Sequence, residues 1–250
     1  MKPLLAAIRF LTIAPVPGGW GTAEEDLARS VPWFPLVGLL LGAAAAGLAW
    51  VLSWTVPPML AAAMLLVVLL SFSGCLHLDG LADTADGFLS SRPRERILEI
   101  MKDSHIGAMG VIAIACLLLL KFASLASLPA WLLWRAALLM PLAGRCAIVL
   151  HMALLPYVRP DGLAAVFYRR QPGRATVCWA VGVFALADFC LLGPVGMVVW
   201  VMCIMATGIF SAHVFRKIGG ATGDTLGAVC ELSEVVAVIL LAIVPLGGGR

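Results

Sequence analysis

The sequence predicts an all-α, polytopic integral membrane protein with about seven transmembrane helices. Of its 250 residues, 62% are hydrophobic and only 12% are charged, whereas a soluble globular domain is nearer half apolar and a quarter charged. Several apolar runs approach the roughly 20 residues that a helix needs to cross a bilayer. Turn-forming residues separate neighbouring runs, so we expect one transmembrane domain over residues 1–250.

The N-terminal residues 3–17 form a separate element. They are apolar, but Arg9 interrupts them and they are too few to cross a bilayer, so we predict an interfacial helix rather than a signal peptide. Seven apolar runs follow, at 36–56, 59–76, 106–128, 131–155, 175–192, 194–213 and 226–246. Breakers between them predict tight turns, at Pro57-Pro58, Pro129 and Gly193-Pro194.

The distribution of Lys and Arg predicts the orientation of the chain. If all seven runs cross, the N-terminus and the polar connections 77–105, 156–174 and 214–225 lie on one side, with thirteen of the 17 Lys and Arg residues. Only Lys121 and Arg250 fall on the other side. Cytoplasmic loops carry the excess of basic residues, so we expect the N-terminus and these three connections to be cytoplasmic.

Three acids stand together in the first long connection, in the stretch HLDGLADTADG. On a helix, Asp79, Asp83 and Asp86 would lie within about 60° of one another on one face. No Lys or Arg occurs between Arg29 and Arg92, so a divalent cation is the natural compensation for their charge. Oxygen ligands without a Cys pair favour Mg²⁺. The alternative is a solvated polar loop at the membrane edge.

Two further features belong to the same connection. We expect His77, opposite Asp79, to be a membrane-interface residue rather than a ligand. Residues 92–104 predict an amphipathic helix on the membrane surface, with Ser91 as N-cap and Pro93 in the first turn.

The end of that helix leaves two interpretations open. Lys102 and Asp103 either extend the acidic site or lie on a solvated face. Gly107 and Gly110, which follow directly, allow close approach of backbone or ligand.

A third polar element, GGATGDTLGAVCELSE at 219–234, precedes the last run. Glycines including Gly220 and Gly223 surround Asp224, and a glycine-rich turn that opens a helix can direct backbone N–H groups at a phosphate. Glu231 and Glu234 enter a membrane helix, which indicates a functional site. The alternative is an ordinary helix cap with interfacial acids.

Isolated charges within the apolar runs also need partners. Arg145 lies near the middle of the fourth run, so we expect it to face an acid, a cavity or a phosphate. Arg135 and Asp188 are expected to anchor the outer interface. Arg159, Arg169, Arg170 and Arg174 are expected to contact either an anionic substrate or lipid headgroups.

The clustered acids, glycine turns and bases on one face favour metal-assisted phosphoryl transfer. The stretches SGCLHLDGLADTADG, LEIMKDSHIGAMG and GGATGDTLGAVCELSE resemble the bacterial cobalamin synthase family. RFLTIAPVP, WFPLVGLLLG and PLAGR are similar to further blocks of that family, so the resemblance covers nearly the whole chain in order. The departures are Cys75, Ser90, Ser91 and His105, where the family more usually has Gly, a glycine pair and Arg.

The resemblance implies the joining of adenosylcobinamide-GDP to α-ribazole, or to its 5′-phosphate, with release of GMP and with Mg²⁺ as cofactor. It also implies one catalytic domain in the bacterial cytoplasmic (inner) membrane, with its active site facing the cytoplasm. The lipid bilayer is then a partner, nucleic acid is not, and a homo-oligomer is left open.

Roles for individual residues follow from this resemblance. The catalytic residues would be Asp83, Asp103 and Lys102. The metal ligands would be Asp79, Asp83, Asp86 and Asp224. The substrate-binding residues would be Arg145, Gly107, Gly220, Gly223 and Glu231.

Two other classes of function predict different patterns. A cation or metabolite transporter would place acids near the middle of several spans. A CDP-alcohol phosphotransferase would carry a longer DG-x-x-AR spacing, whereas this chain has Ala82-Asp83 where an Ala-Arg pair would stand.

Overall fold

The computed structural model describes residues 1–159 and 162–244, and in these residues the chain is built of helices without a β-strand. The helices are α1 Lys2–Leu11, α2 Glu24–Ala28, α3 Phe34–Thr55, α4 Pro58–Phe72, α5 Leu76–Phe88, α6 Arg94–Ile100, α7 Ala108–Ser127, α8 Ala130–Leu154, α9 Leu163–Tyr168, α10 Arg174–Leu192, α11 Pro194–Ile218 and α12 Gly223–Ile243. A 3₁₀ turn at Val31–Trp33 precedes α3. The all-α prediction is confirmed.

Six of the described helices are long and apolar enough to cross a membrane: α3, α7, α8, α10, α11 and α12. The axes of α4 and α5 differ by 88° across a short break. If these two helices count as one broken span, they provide a seventh crossing. The polytopic architecture with about seven spans is therefore confirmed.

The predicted second run, 59–76, is not one helix. It ends at Phe72 and the chain resumes as α5 at Leu76. Gly74 and Cys75 both take left-handed backbone conformations, with φ of 57° and 59°, which stop the helix. Glycine adopts this conformation without a steric penalty, whereas a residue with a Cβ, such as Cys75, adopts it less readily.

The two predicted amphipathic segments are shorter than expected. α1 ends at Leu11, and the Arg9 guanidinium then donates to the carbonyls of Val16 and Gly18, both at 2.9 Å. α6 covers Arg94–Ile100 instead of the predicted 92–104, and Ser91, with a φ of 52°, does not serve as the predicted N-cap.

Glycines set the closest contacts between the central helices. A Cβ added at Gly38 of α3 would lie 2.7 Å from the carbonyl oxygen of Pro141 in α8, and Gly42 meets Leu138 of α8 in the same way. Glycines four residues apart are the usual means of close helix packing in membranes. The α3–α8 pair therefore forms a tightly packed core beside α12.

A buried network of four charges joins α7, α8 and α12. The Lys121 ammonium donates to Glu231 and to Glu234, each at 2.7 Å, and the Arg145 guanidinium donates to Glu234 at 2.5 Å. All four side chains are buried. Two positive and two negative charges balance, which offsets part of the cost of placing them in the apolar interior.

This charge network changes two expectations. Lys121 is not an outer-face base, because it is buried inside the bundle. Arg145 does face an acid, Glu234, which is one of the three alternatives that its position left open.

Other charged or polar residues of the spans also differ from expectation. Asp188 is fully buried, and neither of its carboxylate oxygens has a hydrogen-bond partner among the described residues. The His77 side chain, in α5, is buried within the protein instead of lying at the membrane interface. Arg135 does lie against the rings of Trp131 and Trp134, at 5.1 and 5.0 Å, as its anchoring role predicts.

We expect Lys121→Met to destabilise the protein by about 3–5 kcal/mol, because it leaves two buried carboxylates facing a single guanidinium. At about 2–4 °C per kcal/mol, the midpoint of thermal unfolding should fall by at least about 6 °C. The buried thiols of Cys146, Cys203 and Cys230 allow this midpoint to be followed in detergent with a thiol-reactive dye.

The control is Arg96→Met, which breaks the exposed Arg96–Glu99 pair at 2.6 Å and should change the stability by at most about 1 kcal/mol. Adding Glu231→Gln to Lys121→Met should recover part of the loss. An unchanged midpoint for Lys121→Met would show that the network contributes nothing to stability.

Candidate active site at the start of the last helix

α5 carries the three clustered acids, as the sequence predicts. Leu78, Leu81 and Ala82 are buried on the side of α5 that packs into the bundle. Asp79 is exposed, and Asp83 and Asp86 are partly exposed. The three acids do lie on one helix, Leu76–Phe88, as the prediction of a shared face assumed.

α5 crosses the first turns of α12 at very short range. A Cβ at Gly80 would lie 2.7 Å from the carbonyl oxygen of Asp224, and one at Gly227 would lie 2.9 Å from that of His77. This crossing brings Asp224 close enough to Asp83 to act on it electrostatically, together with Asp79 and Asp86. Carboxylates from two distant parts of the chain therefore share one site.

The start of α12 is fixed by a capping box. The Thr222 hydroxyl accepts from the backbone N–H of Thr225 at 3.3 Å, and the Thr225 hydroxyl accepts from that of Thr222 at 2.9 Å. Asp224 consequently lies in the first helical turn, where a negative charge is favoured.

Arg159 completes this end of the site, with its guanidinium 2.7 Å from the Asp224 carboxylate. Two hydrogen bonds position it: Ala221 N–H donates to the Pro156 carbonyl at 2.8 Å, and Val158 N–H donates to the Ala221 carbonyl at 3.1 Å. Gly220 makes this pairing feasible, because a Cβ there would collide with the Pro156 carbonyl.

The sequence did not single out Arg159 among the four arginines of its connection. The structure separates them: Arg169 pairs with Glu24 at 2.5 Å and Arg170 with Glu25 at 3.0 Å, both on the surface. Arg159 is distinguished by its contact with Asp224, which depends on the pairing of Pro156 and Val158 with Ala221, about 60 residues away.

Two cavities open beside these residues. The first, of about 240 Å³, is lined by Asp79, Arg159, Gly223 and Asp224, among others. The second, of about 260 Å³, is lined by Asp79, Asp83, Lys102 and Asp103, among others. Asp79 borders both cavities, so Lys102 and Asp103 lie beside the acidic site.

Asp103 is held by its neighbour His105. Its carboxylate accepts from the His105 backbone N–H at 3.0 Å and lies 2.7 Å from the Nδ1 atom of the same residue. These contacts hold the pKa of Asp103 below its ordinary value. An ionised carboxylate therefore stands at the exposed edge of the second cavity.

Asp86 has a structural partner in α7. One carboxylate oxygen accepts from the Gly107 N–H at 2.7 Å and the other from the Gly110 N–H at 2.8 Å. A Cβ at either glycine would collide with this carboxylate. Asp86 thus caps α7, and Gly107 contacts Asp86 rather than an open cavity.

The donor chemistry of the site suits Mg²⁺ in part. The side chains of Asp79 and Asp83 make no hydrogen bond or ion pair within residues 1–159 and 162–244, so their carboxylate oxygens can receive a cation. Asp224 is paired with Arg159, and both Asp86 oxygens are bonded to α7. Among the described residues, no three His, Cys, Asp or Glu side chains already form a group that could hold a metal ion.

Arg145 and Glu231 do not reach these cavities. Both belong to the buried charge network, beside a space of only about 10 Å³ that cannot admit a substrate. Arg145 pairs with Glu234, and Glu231 pairs with Lys121, which also contacts Glu234. The structure therefore gives Arg145 and Glu231 a role in holding the helices together instead of the predicted contact with substrate.

We expect Asp86→Asn to loosen the start of α7, because the amide nitrogen cannot accept the hydrogen bond that one carboxylate oxygen now accepts. A hydrogen bond to a charged group contributes about 1.5–3 kcal/mol, so amide exchange at Gly107 and Gly110 should accelerate at least about tenfold. Hydrogen–deuterium exchange of peptides covering 105–112 measures this. Glu95→Gln, at an exposed carboxylate on α6, is the control, and equal protection in the Asp86 variant would contradict the cap.

Comparison with known proteins identifies the family. The profile of a family described as cobalamin-5-phosphate synthase matches residues 3–242. A protein of Geotalea daltonii named adenosylcobinamide-GDP ribazoletransferase is 38% identical over 250 residues, which cover 99% of both chains. Proteins of the same name from Roseiflexus sp. and Shigella flexneri are each 40% identical, over 96% of this chain and 89% and 99% of their own.

No solved structure matches the chain. The family profile and these relatives extend over nearly the whole sequence, including α5, the 156–159 segment and the start of α12. The chain therefore belongs to the cobalamin-5-phosphate synthase family and is a membrane-embedded transferase of cobalamin synthesis.

Proposed function

We propose that this enzyme joins adenosylcobinamide-GDP to α-ribazole, or to its 5′-phosphate, and releases GMP. One observation carries the proposal: Asp79 and Asp83 of α5, Arg159, and Asp224 of α12 converge on two cavities that share Asp79. The relatives' name, adenosylcobinamide-GDP ribazoletransferase, supports these two substrates.

The bond changes of this reaction define what the site must do. A hydroxyl oxygen of α-ribazole attacks the cobinamide-side phosphorus of the diphosphate. The bond from that phosphorus to the bridging oxygen breaks, and the electron pair leaves with GMP. The hydroxyl proton passes to a carboxylate, for which Asp83, partly exposed at the second cavity, is our candidate.

The basic residues serve the phosphates. Lys102 at the second cavity and Arg159 at the first can each hold phosphate oxygens by charge-assisted hydrogen bonds. Asp103 at the rim is a second acceptor for the proton. Gly223 leaves room at the first turn of α12 for substrate to approach the backbone.

Mg²⁺ is the cofactor that we propose, held by Asp79 and Asp83 with Asp224 as a third ligand when substrate phosphate engages Arg159. When bound, it would neutralise the diphosphate and stabilise charge on the departing phosphate. Asp86, which caps α7, would then act by placing α5 rather than by direct ligation.

We also propose that the site faces the cytoplasm, in the cytoplasmic (inner) membrane of a bacterium. The burial of Lys121 strengthens the charge asymmetry, because it removes one of the two bases assigned to the outer side. Thirteen basic residues remain on the side of the acidic site.

The test is a reaction of the purified protein with adenosylcobinamide-GDP, α-ribazole and Mg²⁺, with GMP and corrinoid product measured by chromatography. We expect equal amounts of the two products and no reaction with chelator present. Asp83→Asn should reduce turnover by at least about 100-fold, the usual scale for losing a key electrostatic group.

Glu95→Gln is the matched control, since Glu95 is an exposed carboxylate on α6 that borders neither cavity. Absence of GMP from folded protein would refute the proposed function. Full Mg²⁺-dependent turnover by Asp83→Asn would refute the role of this carboxylate.

A further inference from the structure

The residues that line the first cavity are of two chemical kinds. Asp79, Arg159 and Asp224 are its charged residues, beside which the phosphate chemistry is proposed. Most of the remaining lining is apolar and comes from several helices: Phe10, Phe34, Ile148, Leu163, Phe167 and Leu226. We name this apolar part of the lining the base cleft.

Three phenylalanines from separate helices form one wall of the base cleft. Phe10 of α1 lies 4.7 Å from Phe167 of α9, and Phe34 of α3 lies 5.7 Å from Phe167, measured between ring centroids. The rings of Phe34 and Phe167 are almost fully buried. They hold the partly exposed ring of Phe10 in place, and a planar aromatic ligand can pack against that ring.

The base cleft offers few polar partners. Among the described residues that line the whole cavity, the only polar side chains besides the three charged ones are His77 and Tyr157. Burial raises the pKa of Tyr157, with nearby Arg159 opposing the shift, so its phenol stays neutral. A ligand that packs against the base cleft therefore buries apolar surface and finds few hydrogen-bond partners.

The two aromatic groups of the proposed substrates differ in this respect. Guanine carries several donors and acceptors on its edges, and burying them without partners is unfavourable. The benzimidazole-type base of α-ribazole carries one free ring nitrogen and is otherwise apolar. The lining of the base cleft therefore suits the base of α-ribazole and not guanine.

We propose that the base cleft binds the aromatic base of α-ribazole, with its ribose directed toward Asp79 and Asp224. This inference rests on the proposed function, because it places one of the two proposed substrates. It also gives the N-terminal helix α1 a part in the active site through Phe10.

Ala164 is the residue that limits the size of the base. It lines the cavity, and its Cβ lies 3.5 Å from the position that a Cβ on Gly223 would take. A larger side chain at 164 would narrow the passage between the base cleft and the first turn of α12. The small side chain at 164 thus sets how bulky a base can reach the acids.

The first experiment uses Phe10→Leu, which removes an aromatic ring at a partly exposed position while it keeps an apolar side chain. We expect the KM for α-ribazole to rise about tenfold, with the KM for adenosylcobinamide-GDP changed by less than twofold. Phe189→Leu, at an exposed position on α10, is the matched control and should change neither constant.

The outcomes separate this inference from the proposed function. If wild-type protein releases GMP but Phe10→Leu leaves the KM for α-ribazole unchanged, the assignment of the base cleft to α-ribazole is refuted. The proposed reaction is not affected by that result. A selective rise in the KM for adenosylcobinamide-GDP would assign the cleft to guanine and also refute the inference. No GMP from the wild type would refute the proposed function itself.

A binding measurement tests the inference without turnover. Calorimetry with wild-type protein and α-ribazole, without adenosylcobinamide-GDP, should show binding that free 5,6-dimethylbenzimidazole competes for and GMP does not. Competition by GMP alone would contradict the assignment.

Ala164→Val provides the second variant. We expect it to weaken binding of the dimethylbenzimidazole riboside more than that of unsubstituted benzimidazole riboside, with the thermal unfolding midpoint confirming that it is folded. Equal weakening of both ribosides would remove Ala164 from the inference.

Discussion

The buried pairing of Lys121 and Arg145 with Glu231 and Glu234 is the constraint on which the rest of the structure depends. It fixes α12 against α7 and α8 in the apolar interior, where an unpaired charge is costly. Because α12 is held there, its first turn presents Asp224 at the proposed cytoplasmic face. The same pairing argues against transport, since the mid-span acids of α12 are neutralised by two bases and do not stand open to a solute.

The proposed active site is assembled from contacts that only glycine permits. Gly80 and Gly227 let α5 cross α12, and Gly220 lets the segment before Arg159 pair with the turn before α12. Gly107 and Gly110 let Asp86 reach the backbone of α7. Each contact ties a chemical group to a helix end, so the carboxylates and Arg159 are positioned by backbone rather than by long flexible side chains. This arrangement accounts for glycine at positions inside α5 and α12 as well as in the turns.

Much of the fold follows from sequence, because run length and polarity determine which helices can cross a bilayer. The acids of α5 are likewise predictable from their spacing. The break at 73–75 was not predicted. Cys75 adopts a left-handed backbone conformation there, and a cysteine gives no sequence signal for such a conformation. The partner of Lys121 was also not predictable, because Glu231 is 110 residues away. Arg159 could be chosen from its neighbours only through the pairing of Val158 with Ala221.

Phosphoryl transfer at Asp79 and Asp83 is the central claim, and the position of a bound cation tests it most directly. Mn²⁺ can replace Mg²⁺ and is visible by anomalous scattering in crystals of the protein with adenosylcobinamide-GDP. We expect one peak within about 2–2.5 Å of oxygens of both Asp79 and Asp83, in contact with the diphosphate. A diphosphate bound elsewhere, or a peak at Glu231 and Glu234 in place of these aspartates, would contradict it.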